Sequence, residues 1–125
     1  MFQIAYNYNQ DWHEDEALTV DIHVSQKIAI SPDLARHRAN GFLTGHVTMM
    51  VIGGQPTLIV DQDPVWRVPA VLRLPELGDV STIGSVDIDA QTGDIISPSF
   101  DQITRMQELA HAIAAHFASA TAAAD

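Results

Sequence analysis

Apolar and polar residues alternate from the first positions. Phe2, Ile4, Tyr6 and Tyr8 take one parity, and Gln3, Ala5, Asn7 and Asn9 take the other. A period of two predicts a strand with one apolar face. The alternation returns at Leu18, Val20, Ile22, Val24, Ile28 and Ile30, broken only by Gln26. This reads as a long half-buried strand whose other face meets solvent, the habit of antiparallel sheets. Ser31-Pro32-Asp33 then signals a helix start: a hydroxyl to cap free amides, a proline suited to the first turn, and an acid at the positive end of the dipole. Ala35, Ala39, Phe42, Leu43, His46 and Met50 keep helical spacing, with Gly53-Gly54 as the stop signal or the end of a short extension. Lone histidines on apolar faces are usually hydrogen-bonded core residues, and His46 is expected to be one.

Thr57–Val60 reads as a short apolar strand, Asp61-Gln62-Asp63-Pro64 as a turn, and Val65–Leu74 as a second strand with Trp66, Val68, Ala70, Leu72 and Leu74 on one face. Pro69 cannot donate to a ladder, so it marks a bulge or an open edge. Pro75–Asp79 reads as a loop and Ile83–Ala90 as a third strand, with Val86, Ile88 and Ala90 inward and Asp87 and Asp89 outward. Gln91-Thr92-Gly93-Asp94 is a tight turn in which Gly93 is expected at positive φ. Ser97-Pro98-Ser99 opens a last helix striped by Ile103, Met106, Ala110, Ile113 and Phe117. The order predicts an α+β fold: an antiparallel sheet of about four strands with two helices packed on one face. Residues 1–17 form an N-terminal extension, a short strand plus an acidic loop. Residues 18–118 form the single domain, and the alanine-rich residues 119–125 a flexible tail.

Residues 65–95 add a resemblance. Val65-Trp66-Arg67-Val68 followed by Ser85-Val86-Asp87-Ile88-Asp89-Ala90-Gln91-Thr92-Gly93-Asp94-Ile95 is similar to the end of a PepSY-type module. It pairs an aromatic- and valine-bearing strand with a valine–aspartate strand and a glycine hairpin turn. The resemblance implies a small helix-plus-antiparallel-sheet module used for binding or inhibition rather than catalysis, and it assigns no functional residue. Such modules are usually extracytoplasmic. Residues 1–16 here have neither a basic start nor an apolar run, and no window approaches the ~18 apolar residues of a membrane span, so the expected location is cytoplasmic.

Charge narrows the partners. Six Lys and Arg against sixteen Asp and Glu leave a net charge of −10 over 125 residues. That balance argues against nucleic acid and anionic membranes, which repel it. The absence of cysteine removes disulfides, thiolate metal sites and cysteine nucleophiles. No histidine pair has the i, i+4 spacing of a helical zinc site. Asp61-Gln62-Asp63 begins like a calcium loop, but Pro64 follows it and the later Gly and Glu are missing. Ser85 lacks the flanking glycines of a nucleophile elbow. The sequence therefore assigns no catalytic residue, no cofactor and no metal.

What remains is a set of docking residues. Trp12 sits in the acidic run 11–16. Arg36, His37 and Arg38 form the one basic knot, suited to an acidic partner or to another copy of the chain. Trp66 and Arg67 lie on the second strand, where Arg67 and Arg73 share a face and can pair with Asp87 and Asp89. The expected function is a non-catalytic protein-interaction or regulatory module acting through its sheet edge or face. Its expected partner is a protein or a second copy, as a homodimer. One specific form is neutralisation of a basic partner, in the manner of an antitoxin or immunity protein. The alternative is a small ligand- or metal-binding protein or an enzyme, with a His/Asp site at a sheet face or dimer interface. It would show as a histidine within hydrogen-bond reach of a carboxylate.

Overall fold

The computed structural model describes residues 4–5, 27–60 and 62–124, with residues 4–5 and 119–124 described as backbone only. The acidic run with Trp12, and the long alternating strand up to Gln26, lie outside the described residues. The elements are β1 (Ile4–Ala5), α1 (Pro32–His46), β2 (Val51–Gly53), β3 (Thr57–Ile59), β4 (Val65–Leu74), β5 (Gly78–Asp89), β6 (Ile95–Ile96) and α2 (Phe100–Ala124). They form an α+β fold. The sheet runs β1-β3-β4-β5-β6, with β2 also paired to β4. All pairings are antiparallel except β1 on β3, which is parallel.

One face of β4 organises the core. Trp66, Val68, Ala70, Leu72 and Leu74 are buried, as their alternation predicts, and meet Val86 and Ile88 of β5 and Leu58 of β3. Ala35, Ala39 and Leu43 of α1 and Met106 and Ala110 of α2 close over the same face. Both helices start as their sequences predict. The Ser31 hydroxyl accepts from the Leu34 N–H at 3.1 Å. Ser99 and Gln102 form a reciprocal capping box, each side chain accepting from the other's backbone N–H. Gln107 of α2 donates its side-chain amide to the His46 and Val47 carbonyls, satisfying the orphan end of α1 and joining the two helices.

Several expectations need correction. The first helix stops at His46, well before Gly53-Gly54, and Val51–Gly53 is a strand. His46 is exposed and stacks on Phe42 with ring centroids 4.5 Å apart. The buried stripe of α1 follows i, i+4, i+8 through Ala35, Ala39 and Leu43, and His46 falls to one side of it. Lys27–Ile30, expected to finish a strand, are irregular. Instead Ala29 and Ile30 both donate to the Ala90 carbonyl. The third strand begins at Gly78 rather than Ile83. Two bulges conceal its alternation, because the register on β4 skips Val80 and then Ile83.

Pro69 sits in a central strand, and its neighbour explains why. β2 and β3 lie end to end along one side of β4. Between them the three residues 54–56 oppose only two, Val68 and Pro69. The Pro69 carbonyl accepts from the Gly54 N–H at 2.8 Å, so the missing donor of Pro69 faces this interruption rather than a regular ladder.

Candidate functional site

Arg36 and Arg38 flank the buried stripe of α1, about 200° apart around the helix axis. The basic knot is therefore divided. Arg38 reaches the turn after β5 and donates to the Gly93 carbonyl at 2.6 Å. Arg36 points the other way, toward the edge of β2 that no described strand pairs with. There it lines a hollow of about 420 Å³ with Asp33, His37, Asn40, Ile52 and Arg73. Asp33, Arg36, His37 and Asn40 are spaced i, i+3, i+4, i+7, one face of a helix. That spacing is the signal that could have picked them out of the sequence. Nothing local announces Ile52 or Arg73, which β2 and β4 bring in from a dozen or more residues away.

Asn40 is fixed by the edge it covers. Hydrogen bonds from Gly54 to Pro69 and from Arg73 to Met50 aim the even-numbered residues of β2 at β4. The Gly53 N–H therefore faces outward, and the Asn40 Oδ1 accepts it at 3.1 Å. The Val51 N–H also has a partner, the Thr48 carbonyl. These bonds occupy the amides with which a free edge recruits another strand. Gly53 also lets the helix come close, since a Cβ there would lie 3.2 Å from the Arg36 carbonyl and 3.0 Å from Val68 Cγ1.

The remaining docking residues scatter. Trp66, expected at a docking surface, is 2% exposed, and its indole N–H donates to the Ile30 carbonyl at 2.8 Å. Its parity on β4 is that of the core, so it serves packing. Arg67 lies on the opposite face of the sheet in a two-pronged ion pair with Asp87, at 2.9 and 3.0 Å. That hydrogen bond, reinforced by the charge of Asp87, raises the Arg67 pKa above its ordinary value. Exposed pairs of this kind contribute at most about 1 kcal/mol. Arg73 pairs with Asp79 at 2.8 Å and not with Asp89, because the two bulges bring Asp79 opposite it.

Asp89 has a different task. Its carboxylate accepts from the Gln91 and Thr92 N–H groups at 2.8 and 3.0 Å, which bends the chain into the β5–β6 turn. These bonds lower its pKa below the ordinary 3.8. A depressed folded-state pKa means that the ionised group contributes stability above that ordinary value and loses it as pH falls through the folded one. Asp89→Ala is therefore expected to destabilise the protein at neutral pH, by a margin that shrinks as the pH drops below 3.8 and closes below the folded pKa. Urea melts of both proteins across the acid range check this. A margin independent of pH would contradict it.

A second, smaller cavity of about 200 Å³ lies between β5 and α2, lined by Ile83, Gly84, Ser85, Gln102, Arg105 and Met106. Gly84 makes room for the helix there, since a Cβ would fall 2.6 Å from Met106 Sδ. Among the described residues no histidine bonds to a carboxylate, and no three His, Asp or Glu side chains are grouped to hold a metal ion. Among the described residues no helix is long and apolar enough to cross a membrane.

No family model matches the chain, and no curated protein or solved structure matches it either.

Proposed function

We propose that the protein is a non-catalytic protein-interaction module that pairs with a second copy of itself through the sheet face opposite its helices. One observation carries this reading. On that face Ile52, Ile59, Val65, Pro69 and Val71 are half-buried side by side, and no described helix or strand covers them. The charged groups around them are Arg67, Arg73, Asp79, Asp87 and Asp89. Two guanidiniums against three carboxylates leave this face close to neutral in a chain of net charge −10. Two copies meeting here avoid the repulsion they would face over the rest of the surface. Ile96, 49% exposed and opposite Asp87, extends the apolar strip onto β6. The likeness of residues 65–95 to a PepSY-type module favours the same non-catalytic role.

Val65→Lys tests the reading. Val65 stands directly opposite Asp89, so a lysine there gains a partner within its own chain. On a self-paired face it would bring two cations together. Light scattering across a concentration series is expected to show a dimer for the natural chain and a monomer for Val65→Lys, with thermal stability retained. A natural chain that stays monomeric, or a variant that stays dimeric, would overturn the proposal. A chain that pairs only when a basic protein is added would place the neutralising role ahead of self-pairing.

A further inference from the structure

We infer that the hollow between α1 and the edge of β2 is a binding site for an oxyanion group, a phosphoryl or carboxylate carried by a ligand. The hollow shares Ile52 and Arg73 with the margin of the self-pairing face proposed above, but the inference rests on the donors that line the hollow. Asn40 spends its Oδ1 on the Gly53 N–H, which leaves its side-chain NH₂ as a pure donor. Arg73 is held by Asp79 through Nε alone, which leaves its two terminal nitrogens free to donate. The Arg36 side chain makes no hydrogen bond or ion pair among the described residues, and its guanidinium carries five donors and no acceptor. His37 adds an imidazole from the next helix position.

Against these donors stands one lining carboxylate, Asp33. A cation would meet two guanidiniums, whereas an oxyanion meets converging N–H groups with a planar fork geometry suited to it. The apolar Ile52 and the roughly 420 Å³ of space leave room for more than a bare ion. Asp79 offsets part of the charge of Arg73, so recognition depends on directed hydrogen bonds more than on net charge.

The test is an amide-resolved NMR titration of the full chain at constant ionic strength. It uses inorganic phosphate and succinate as probes and chloride as the control. Saturable shifts confined to Asp33, Arg36, His37, Asn40, Gly53 and Arg73 are expected with at least one probe. Saturation by phosphate alone marks the site as phosphoryl-binding, and saturation by succinate alone marks it as carboxylate-binding. Arg36→Gln removes exposed donors without touching the core, and is expected to weaken binding about tenfold or more. Asn40→Asp, which places a carboxylate where the donor stood, is expected to abolish binding. Shifts no larger than those from chloride, or an affinity unchanged in Arg36→Gln, would overturn the inference.

Discussion

Trp66→Ala is expected to lower the stability of the fold by about 3–5 kcal/mol, the range for deleting a large buried aromatic ring. Whole domains of this size hold only about 5–15 kcal/mol, so the variant will sit near the edge of folding. Trp66 stands between Leu58 of β3 and Ile88 of β5 in the register of the sheet, all three buried. Its ring fills the space between the centre of the sheet and the chain entering α1. The indole N–H adds the bond to the Ile30 carbonyl that ties this entry segment down. Trp66→Phe separates the two effects, since it keeps most of the ring and removes the donor. Its expected cost is smaller, at about 1–3 kcal/mol for the lost bond and an unpaired carbonyl. Urea melts followed by far-ultraviolet circular dichroism read both variants. A Trp66→Ala cost below that of Trp66→Phe would show that the ring is not a core element.

Gly93→Ala comes next, with an expected loss of about 2.5–5 kcal/mol. Two causes act together. Gly93 has φ 81°, a left-handed conformation that costs an L-residue about 1–2 kcal/mol. An alanine Cβ would also stand 2.5 Å from Arg38 Nη1 and 3.1 Å from Ile30 Cδ1. Arg38 would have to leave, giving up its bond to the Gly93 carbonyl, and bonds to charged groups are worth about 1.5–3 kcal/mol. The double variant with Arg38→Ala tests the coupling. Arg38→Ala removes both the clash and the bond, so the two losses should sum to clearly more than the double variant's loss. Strict additivity would mean that helix and turn are not joined through this contact.

The fold was largely legible in the residues because its main signals are local. Ser31-Pro32-Asp33 and Ser97-Pro98-Ser99 announce helix starts that the backbone adopts, and the structure adds Gln102 to the second cap. The five alternate residues from Trp66 to Leu74 are all buried. The stripe from Ile103 to Phe117 faces the sheet as spaced. Gly93 takes the positive φ its turn requires. What was not legible depends on partners. The bulges at Val80 and Ile83 break the period of two, so the first residues of β5 read as loop. The end of α1 at His46 is decided by β2 joining the sheet and by Gln107 capping from α2. Trp66 and Arg67 are neighbours in sequence and sit on opposite sides of the sheet, so only parity tells core from surface.

The candidate site shows the same division more sharply. Three consecutive residues, Arg36, His37 and Arg38, form one basic knot on paper. Helical geometry sends Arg36 and Arg38 to opposite flanks of α1, and the sheet then gives each a different neighbour: the edge of β2 for one, the β5–β6 turn for the other. By itself the sequence determined the α+β class, the two helices and their caps, and the inward face of the central strand. Each follows from spacing and capping within one segment. The tertiary structure alone decided that Arg73 and Ile52 join Arg36, His37 and Asn40 around one hollow, and that Arg38 leaves them for the β5–β6 turn. Those placements depend on register and packing between segments far apart in the chain.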